Sequence, residues 1–430
     1  MLLSFTVENW RSFKEKVEFS LLAGRERQHS ERLLAISGSK DKALPVALMY
    51  GGNGSGKSNF FKAIAFVKNL VIRGTAPGMP IAVEPFRLSQ QMLERPSVFS
   101  LVIQVEEWRY FLCFSVNRQG VQEERLERSY RGKKEILYIR EGQHFRLGKT
   151  FQKNQFIQYV CQGTRNNQLF LTNALEQNVK ELTLLFNWFL HQLVLIAPDT
   201  RFDFPQSLSQ LTPLLEQMNR MLPLLDMGIS RIAFREMPPG TVMVPEEVRV
   251  RVLEETTDSG YIRVYDAVQR QQWFFSQRRG ELIAYKLVSY HQSSDGREVE
   301  FDLKDESDGT NRILDLLPAF LAMSQLSLPR VYLIDELDRS LHSRLTRYLL
   351  EVYLQSIQNG GENQLLLVTH DTLLMDQNLF RRDEIWLMQR NQQGETQMAS
   401  LQQQKGIRYD LDLQKSYLRG CLGGGPRLSG

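Results

Sequence analysis

The sequence predicts an α/β fold in which helices cover both faces of a parallel sheet, joined to an antiparallel β subdomain. Two observations predict the parallel part. Helical segments alternate with short apolar strands from residue 308 to residue 388, and a glycine-rich loop at 51–58 lies between an apolar strand and an amphipathic helix. A third observation predicts the antiparallel part: apolar residues alternate with polar ones in several runs between Val98 and Phe145.

The bulk composition is that of an ordinary globular protein, with 42% apolar and 24% charged residues. A chain of 430 residues exceeds what one hydrophobic core usually organises, so we expect more than one substructure. The net charge of +4 neither requires nor excludes a nucleic-acid partner. The cysteines Cys113, Cys161 and Cys421 lie far apart and form no C-x-x-C pair, which disfavours a zinc knuckle or a disulfide framework.

Membrane association is not expected. The most apolar stretch, Leu185 to Pro198, is interrupted by polar residues and is shorter than the roughly 20 apolar residues that span a bilayer. The first residues lack the basic and long apolar regions of a signal peptide. We therefore expect a cytoplasmic protein with no membrane partner.

The order of secondary structure follows from the apolar periodicity. Two short strands at the start predict a hairpin, and apolar spacing between residues 166 and 227 predicts helices. The last third predicts helices at 313–323, 341–355 and 372–380, with strands at 331–334, 365–368 and 385–388.

The glycine-rich loop satisfies the P-loop pattern G-x-x-x-x-G-K-[ST]. It consists of Gly51, Gly52, Asn53, Gly54, Ser55, Gly56, Lys57 and Ser58. Glycines let successive backbone N–H groups point at phosphates, Lys57 reaches the terminal phosphates, and Ser58 ligates Mg²⁺. We place the following residue, Asn59, in the same nucleotide-binding group. The loop predicts binding of ATP with Mg²⁺.

Two further strands end in polar residues that suit phosphoryl transfer. Residues 331–334 run into Asp335 and Glu336. Asp335 would hold Mg²⁺, and Glu336 would orient or deprotonate the attacking water. Residues 365–368 run into Thr369 and His370, and His370 would sense the γ-phosphate. We therefore predict Lys57, Glu336 and His370 as the catalytic residues.

These segments resemble the ATP-binding-cassette (ABC) branch of P-loop NTPases, in particular the heads of the structural-maintenance-of-chromosomes (SMC), recombination-mediator and overcoming-lysogenisation-defect families. The likeness also includes Asn9–Phe13 at the start, a signature-like segment at Glu306–Arg312 and Ser340–His342 in the D-loop position. The resemblance implies an ABC-type ATPase head, with Arg11, Ser307 and Gly309 contacting the nucleotide. It also implies a homo-oligomer, a dimer or a larger even-numbered assembly such as a hexamer, because the signature of such heads closes over the nucleotide of the opposite protomer.

The tail resembles a bacterial AAA-type subfamily associated with abortive infection. The segments concerned, 382–386, 406–410 and 415–420, are similar to those of the ATPase subunits of PARIS-type anti-phage systems. The likeness implies a TOPRIM-type nuclease acting in trans and a phage-encoded trigger protein. The alternative is a DNA-repair or recombination ATPase of the recombination-mediator and SMC kind. A GTPase switch is disfavoured, because the chain has no N-K-x-D motif.

The resemblance also suggests a division of the chain. Residues 1–75 would form the N-terminal part of the head, 76–165 the antiparallel β subdomain, 166–300 a helical and β insertion, and 301–430 the C-terminal part of the head. The signature lacks the L-S-G-G form of transporter ATPases, which disfavours a transporter role. Gln90 and Gln91 are the nearest candidates for the Q-loop glutamine.

Overall fold

A computed structural model describes residues 1–200, 208–238, 240–255, 260–266, 271–325, 328–404 and 411–423. The chain divides into two compact units. The first comprises Met1–Pro198, Leu326–Asp338 and Leu350–Gly430, and the second comprises Asp199–Gln325 and Arg339–Leu349. The four segments expected from the sequence remain a prediction.

Strands and helices are numbered in chain order. The strands are β1 (Leu2–Glu8), β2 (Val17–Ser20), β3 (Leu34–Ala35), β4 (Lys42–Ala43), β5 (Val46–Tyr50), β6 (Ser97–Val105), β7 (Trp108–Val116), β8 (Val121–Tyr130), β9 (Lys133–Glu141), β10 (His144–Leu147), β11 (Leu193–Ile196), β12 (Ile229–Glu236), β13 (Tyr261–Asp266), β14 (Gln271–Arg278), β15 (Glu281–Gln292), β16 (Glu298–Asp302), β17 (Val331–Ile334), β18 (Gln364–Val368), β19 (Ile385–Arg390) and β20 (Thr396–Ser400). The α-helices are α1 (Lys57–Arg73), α2 (Gln90–Glu94), α3 (Lys149–Gln152), α4 (Gln155–Gly163), α5 (Phe170–Glu176), α6 (Thr183–Asn187), α7 (Leu208–Met221), α8 (Glu246–Glu255), α9 (Asp308–Ser324), α10 (Ser343–Gln358) and α11 (Leu413–Leu418).

The central sheet of the first unit has the order β11-β17-β18-β5-β19-β20. The first five strands are parallel, and only β20 runs antiparallel. Every residue of β5, β17 and β18 is buried, which explains why these strands are continuous apolar runs rather than alternating ones. Because the strands are parallel, the P-loop, Asp335 and Thr369 leave the sheet at the same edge.

The second sheet of this unit is the predicted antiparallel one, with the order β10-β9-β8-β7-β6-β1-β2. The predicted opening hairpin is confirmed, since Phe5 of β1 lies opposite Phe19 of β2. Both rings pack on Phe60 of α1, with ring centroids 5.5 and 5.3 Å away, and Phe19 also contacts Trp386 of β19. This aromatic cluster fixes the helix that follows the P-loop between the two sheets.

One predicted helix is wrong. Residues 372–380 form a single 3₁₀ turn, Thr372–Leu374, rather than a helix. Two aspartates compete with the helical hydrogen bonds: Asp371 Oδ1 accepts from the Leu373 N–H at 3.0 Å, and Asp376 Oδ1 accepts from the Asn378 N–H at 2.9 Å. Apolar spacing alone does not reveal this competition.

The second unit contains a sheet in the order β12-β15-β14-β13, with β16 paired to β15. Helices α7, α8 and α9 belong to the same unit. Helix α9 begins after Ser307, whose hydroxyl accepts a hydrogen bond from the Thr310 N–H at 3.1 Å and so caps the helix. Within the described ranges, no helix combines the length and apolarity needed to cross a membrane.

The predicted fold class is confirmed. The α/β fold has a mainly parallel sheet that carries the P-loop, a separate antiparallel sheet in the same unit, and a helical and β region in the second unit.

Candidate functional site

The P-loop has a backbone that only glycine can supply at three positions. Gly54 and Gly56 have φ angles of +76° and +111°, in the left-handed region that other residues rarely adopt. A Cβ atom on Gly51 would lie 2.5 Å from the Met388 carbonyl oxygen, and one on Gly56 would overlap the Thr396 hydroxyl. The loop is therefore packed against β19 and β20 as well as curved.

Side-chain hydrogen bonds hold the P-loop from behind. Thr396 Oγ1 donates to the Ser55 carbonyl oxygen at 2.8 Å and lies 2.8 Å from Ser12 Oγ. Asn59 Nδ2 donates to the same Ser12 oxygen at 2.8 Å. Each hydroxyl has one proton, so Asn59 donates to Ser12, Ser12 donates to Thr396, and Thr396 donates to the Ser55 carbonyl oxygen. This chain links the start of the sequence, the P-loop and β20.

Lys57 lies at the start of α1, and only 5% of it is exposed. Its Nζ donates to the carbonyl oxygens of Gly51 and Gly52 at 2.6 and 3.1 Å. Burial lowers the pKa of Lys57 to about 8, although the carboxylates of Asp335, Asp338 and Glu336 oppose the shift. The ammonium group is thus held inside the loop, where phosphate oxygens would replace the carbonyl groups as its acceptors.

Asp335 fits the Mg²⁺ ion that the motif implies. The residue is 4% exposed, and its Oδ1 has no hydrogen-bond partner within the described part of the chain. Burial, and then the neighbouring Glu336, raise the pKa of Asp335, whereas a hydrogen bond from Ser58 and the charge of Lys57 lower it. The unpartnered Asp335 oxygen and the Ser58 hydroxyl together provide two hard oxygen ligands, the kind that Mg²⁺ prefers. Ser58 and Asp335 would therefore hold the ion.

Glu336 and His370 complete the phosphate side of the site. Glu336 has a φ of +52°, a strained conformation for a residue with a side chain, and the Leu337 N–H that follows donates to Val368 O at 3.3 Å. The His370 N–H donates to Asp338 Oδ2 at 3.1 Å. Partial burial, and then the charge of Lys57, lower the pKa of His370, so its imidazole is neutral at neutral pH.

A cavity of about 200 Å³ brings most of the predicted residues together. Its lining consists of Asn53, Gly54, Ser55, Gly56, Lys57, Ser58, Asn59, Glu336, Val368 and His370. The three residues predicted as catalytic thus face one space. Gly51 and Gly52 reach it through the carbonyl groups that bind Lys57, and Asp335 lies buried beside Ser58.

Arg11 and the two candidate Q-loop glutamines also lie outside this lining. Arg11 forms an ion pair with Glu84, and its guanidinium lies 5.6 Å from the Trp10 ring centroid. Gln90 and Gln91 are exposed in α2. Strand β11, which pairs with β17 in parallel, ends at the same edge of the sheet as the P-loop strand.

Ser307 and Gly309 belong to the second unit, where they line a different cavity of about 760 Å³ together with Ser340, Leu341 and His342. A Cβ atom on Gly309 would lie 2.6 Å from the Ser340 carbonyl oxygen. The signature segment and the D-loop segment are therefore in direct contact. We call this space the signature cavity.

Two functional residues were missed by sequence reasoning. Asp338 accepts the His370 N–H, and its charge acts on Lys57. A third carboxylate so soon after Asp335 and Glu336 was the available signal. Thr396 supports the P-loop from a position that no motif marks, and only the fold reveals it.

Comparison with known proteins identifies the family. The family model described as "AAA domain, putative AbiEii toxin, Type IV TA system" matches residues 46–376. No curated protein matches the chain. An SMC head domain from Thermotoga maritima is 12% identical, with a TM-score of 0.36, over 93% of this chain and 98% of that chain. An SMC head bound to the C-terminal winged-helix domain of ScpA is 11% identical, with a TM-score of 0.41, over 93% of this chain and 97% of that chain.

The family match contains the P-loop, Asp335, Glu336 and His370, the residues that meet at the nucleotide edge of the sheet. It spans well over half of the sequence. The chain therefore belongs to this AAA-domain family, and its fold and motifs are those of a P-loop ATPase.

Proposed function

We propose that the chain is the ATP-binding and ATP-hydrolysing subunit of a cytoplasmic anti-phage system of the abortive-infection type. In this proposal it senses infection and controls a TOPRIM-type nuclease that resides on a separate chain. The observation that carries the proposal is the convergence of Lys57, Glu336 and His370 on one cavity, in a chain whose family description names an AbiEii toxin and a toxin–antitoxin system.

Hydrolysis follows from the geometry of this cavity. The P-loop N–H groups and Lys57 bind the phosphates, and Glu336 accepts a proton from the water that attacks the γ-phosphorus. The bond between the γ-phosphorus and the β–γ bridging oxygen breaks, giving ADP and phosphate. Ser58 and Asp335 would hold the Mg²⁺ ion, which would supply positive charge to the phosphate oxygens. The neutral His370 contacts the γ-phosphate.

The site is completed by a second copy of the chain. Ser307 and Gly309 lie at the N-terminus of α9, whose free N–H groups favour an anion. We infer that they close over the γ-phosphate bound to the P-loop of another protomer. The assembly is then a homodimer or a larger even-numbered oligomer such as a hexamer.

The finer assignment rests on the tail. Residues 382–386 and 415–420 resemble the ATPase subunit of the PARIS system, AriA, whereas residues 406–410 lie outside the described residues. This likeness supports a TOPRIM nuclease in trans, a phage-encoded trigger protein and host tRNA as the nuclease target.

The test is co-expression with the nuclease encoded by an adjacent reading frame, followed by phage infection. Protection and tRNA cleavage should require both chains and should be lost in Lys57→Ala. They should persist in Lys153→Ala, which removes an exposed lysine that does not line the P-loop cavity. If Lys57→Ala protected cells as well as the wild type does, the defence role would not depend on ATP. If the adjacent reading frame encoded no nuclease motifs, the proposed nuclease partner would be contradicted.

A DNA-repair or recombination ATPase remains the second candidate, and one feature favours it. A cavity of about 560 Å³ on the face of β7, β8 and β9 is lined by Arg109, Arg128, Arg131 and Lys134. Arg109 and Lys134 form no ion pair with any described residue. Two results would support this candidate: hydrolysis stimulated by DNA, and duplex-DNA binding with a steep salt dependence. The double variant Arg109→Ala/Lys134→Ala should then bind duplex DNA more weakly. Salt-independent or absent binding favours the defence role.

A further inference from the structure

The signature cavity contains a cation that no motif assigns. Arg344 lies in the first turn of α10 and lines this cavity together with Ser307 and Gly309. Its side chain is exposed and forms no ion pair within the described ranges. The Arg344 N–H donates to His342 Nδ1 at 3.2 Å, which ties the start of the helix to the D-loop segment.

The position of Arg344 is fixed relative to the signature. Gly309 touches the Ser340 carbonyl oxygen so closely that a Cβ atom would lie 2.6 Å from it, and Ser340 has a φ of +61°. Only three residues lie between Ser340 and Arg344. Arg344 therefore lines the cavity next to a turn that packs directly on the N-terminus of α9.

Each of the two cavities is lined by a single lysine or arginine. Among the residues that line the P-loop cavity, Lys57 is the only lysine or arginine, and His370 is neutral at neutral pH. The Arg11 guanidinium forms an ion pair with Glu84. Phosphoryl transfer spreads negative charge over the γ-phosphate oxygens, and an arginine delivered in trans commonly stabilises that charge. The signature cavity has such an arginine, with Asp226 as its only acidic lining residue within the described part of the chain.

We propose that Arg344 contacts the γ-phosphate of the ATP bound to the P-loop of a second copy and stabilises the transition state of hydrolysis there. This inference rests on the shared site proposed above. A guanidinium suits the role because it remains charged at any physiological pH and its planar N–H groups match phosphate oxygens.

Single variants measure the size of the effect. Arg344→Ala should bind ATP as the wild type does, yet lower kcat on the order of 10³-fold. Arg344→Lys should recover only part of the lost kcat, because the lysine ammonium is a point charge and lacks the planar N–H donors of the guanidinium. Arg339→Ala is the matched control, since this exposed arginine lies in the preceding turn and does not line the cavity. Wild-type turnover by Arg344→Ala would overturn the proposal.

Mixing experiments show in which chain Arg344 acts. Arg344→Ala mixed with Lys57→Ala should regain activity, up to about a quarter of the wild-type rate in randomly exchanged dimers, because one shared site is then intact. Arg344→Ala mixed with Ser307→Arg should stay inactive, because both defects lie in the same half of the site. Rescue by Ser307→Arg and not by Lys57→Ala would mean that Arg344 acts in its own chain.

The shared site itself needs a separate test. Lys57→Ala mixed with Ser307→Arg should regain hydrolysis without involving Arg344. If mass measurement demonstrates subunit exchange and this pair remains inactive, the shared site fails, and the trans role of Arg344 fails with it. If this pair recovers and Arg344→Ala with Lys57→Ala does not, only the assignment of Arg344 is overturned.

Discussion

Thr396 Oγ1 donates a 2.8 Å hydrogen bond to the carbonyl oxygen of Ser55, a residue 341 positions earlier in the chain. The bond joins the edge strand β20 to the P-loop and ends the chain of donors from Asn59 and Ser12. The shape of the phosphate cavity thus depends on the last strand of the sheet as well as on the P-loop sequence.

Replacing Thr396 by valine should therefore weaken both folding and ATP binding. Valine keeps the shape but leaves the buried Ser55 carbonyl without its donor, at a cost of about 1–3 kcal/mol in the free energy of unfolding. Urea unfolding and an ATP titration measure the two effects. Gln397→Val, on the exposed side of the same strand, is the control and should change stability by less than about 0.5 kcal/mol. Equal stability of the two variants would contradict the role of Thr396.

ATP affinity should fall as the pH rises above about 8, the value to which burial lowers the pKa of Lys57. Below this pH the free protein already carries the ammonium charge that the phosphates need. Above it, binding must take up a proton, so the affinity falls by up to about tenfold per pH unit until the pKa of the complex is reached.

Calorimetry in buffers of different ionisation enthalpy should detect the proton uptake at pH 8.5 and not at pH 6.5. Lys57→Arg, whose guanidinium stays charged, serves as the comparison and should take up no proton at either pH. Proton uptake of equal size in the variant would assign the titration to another group.

Substituting Gly309 by alanine should uncouple binding from hydrolysis. The new Cβ atom would lie 2.6 Å from the Ser340 carbonyl oxygen, so the signature and D-loop segments must separate. The P-loop belongs to the other unit, and ATP binding should persist while turnover falls at least tenfold. Gly163→Ala is the control, because nothing lies within 4 Å of its Cβ position. Turnover equal to that of the control would show that the close contact is not needed.

Much of the fold and of the phosphate site could be predicted from local patterns. Strands β5, β17 and β18 are buried on both faces, and their apolar runs and polar ends are contiguous in sequence, so the P-loop, Asp335, Glu336 and His370 are visible without the fold. Long-range contacts are not visible in this way. Thr396 supports Ser55 through tertiary packing, and β11 reaches the nucleotide edge by pairing with β17.

The segment around Arg11 shows what the tertiary structure adds to a motif similarity. The segment Asn9–Phe13 lies beside the P-loop as implied, but it contributes Ser12 to the hydrogen-bond chain, whereas the Arg11 side chain is paired with Glu84. Motif similarity located the segment, and only the hydrogen-bond geometry distinguishes which of its side chains reaches the loop.

The most direct test of the account is the Glu336→Gln variant in parallel assays of ATP binding and ATP hydrolysis. Glutamine keeps the shape of the side chain and its place in the cavity but cannot accept the proton of the attacking water. The variant should bind ATP with Mg²⁺ at wild-type affinity and hydrolyse it about 10²–10⁴-fold more slowly. Wild-type turnover in Glu336→Gln would show that another residue is the base and would contradict the site described here.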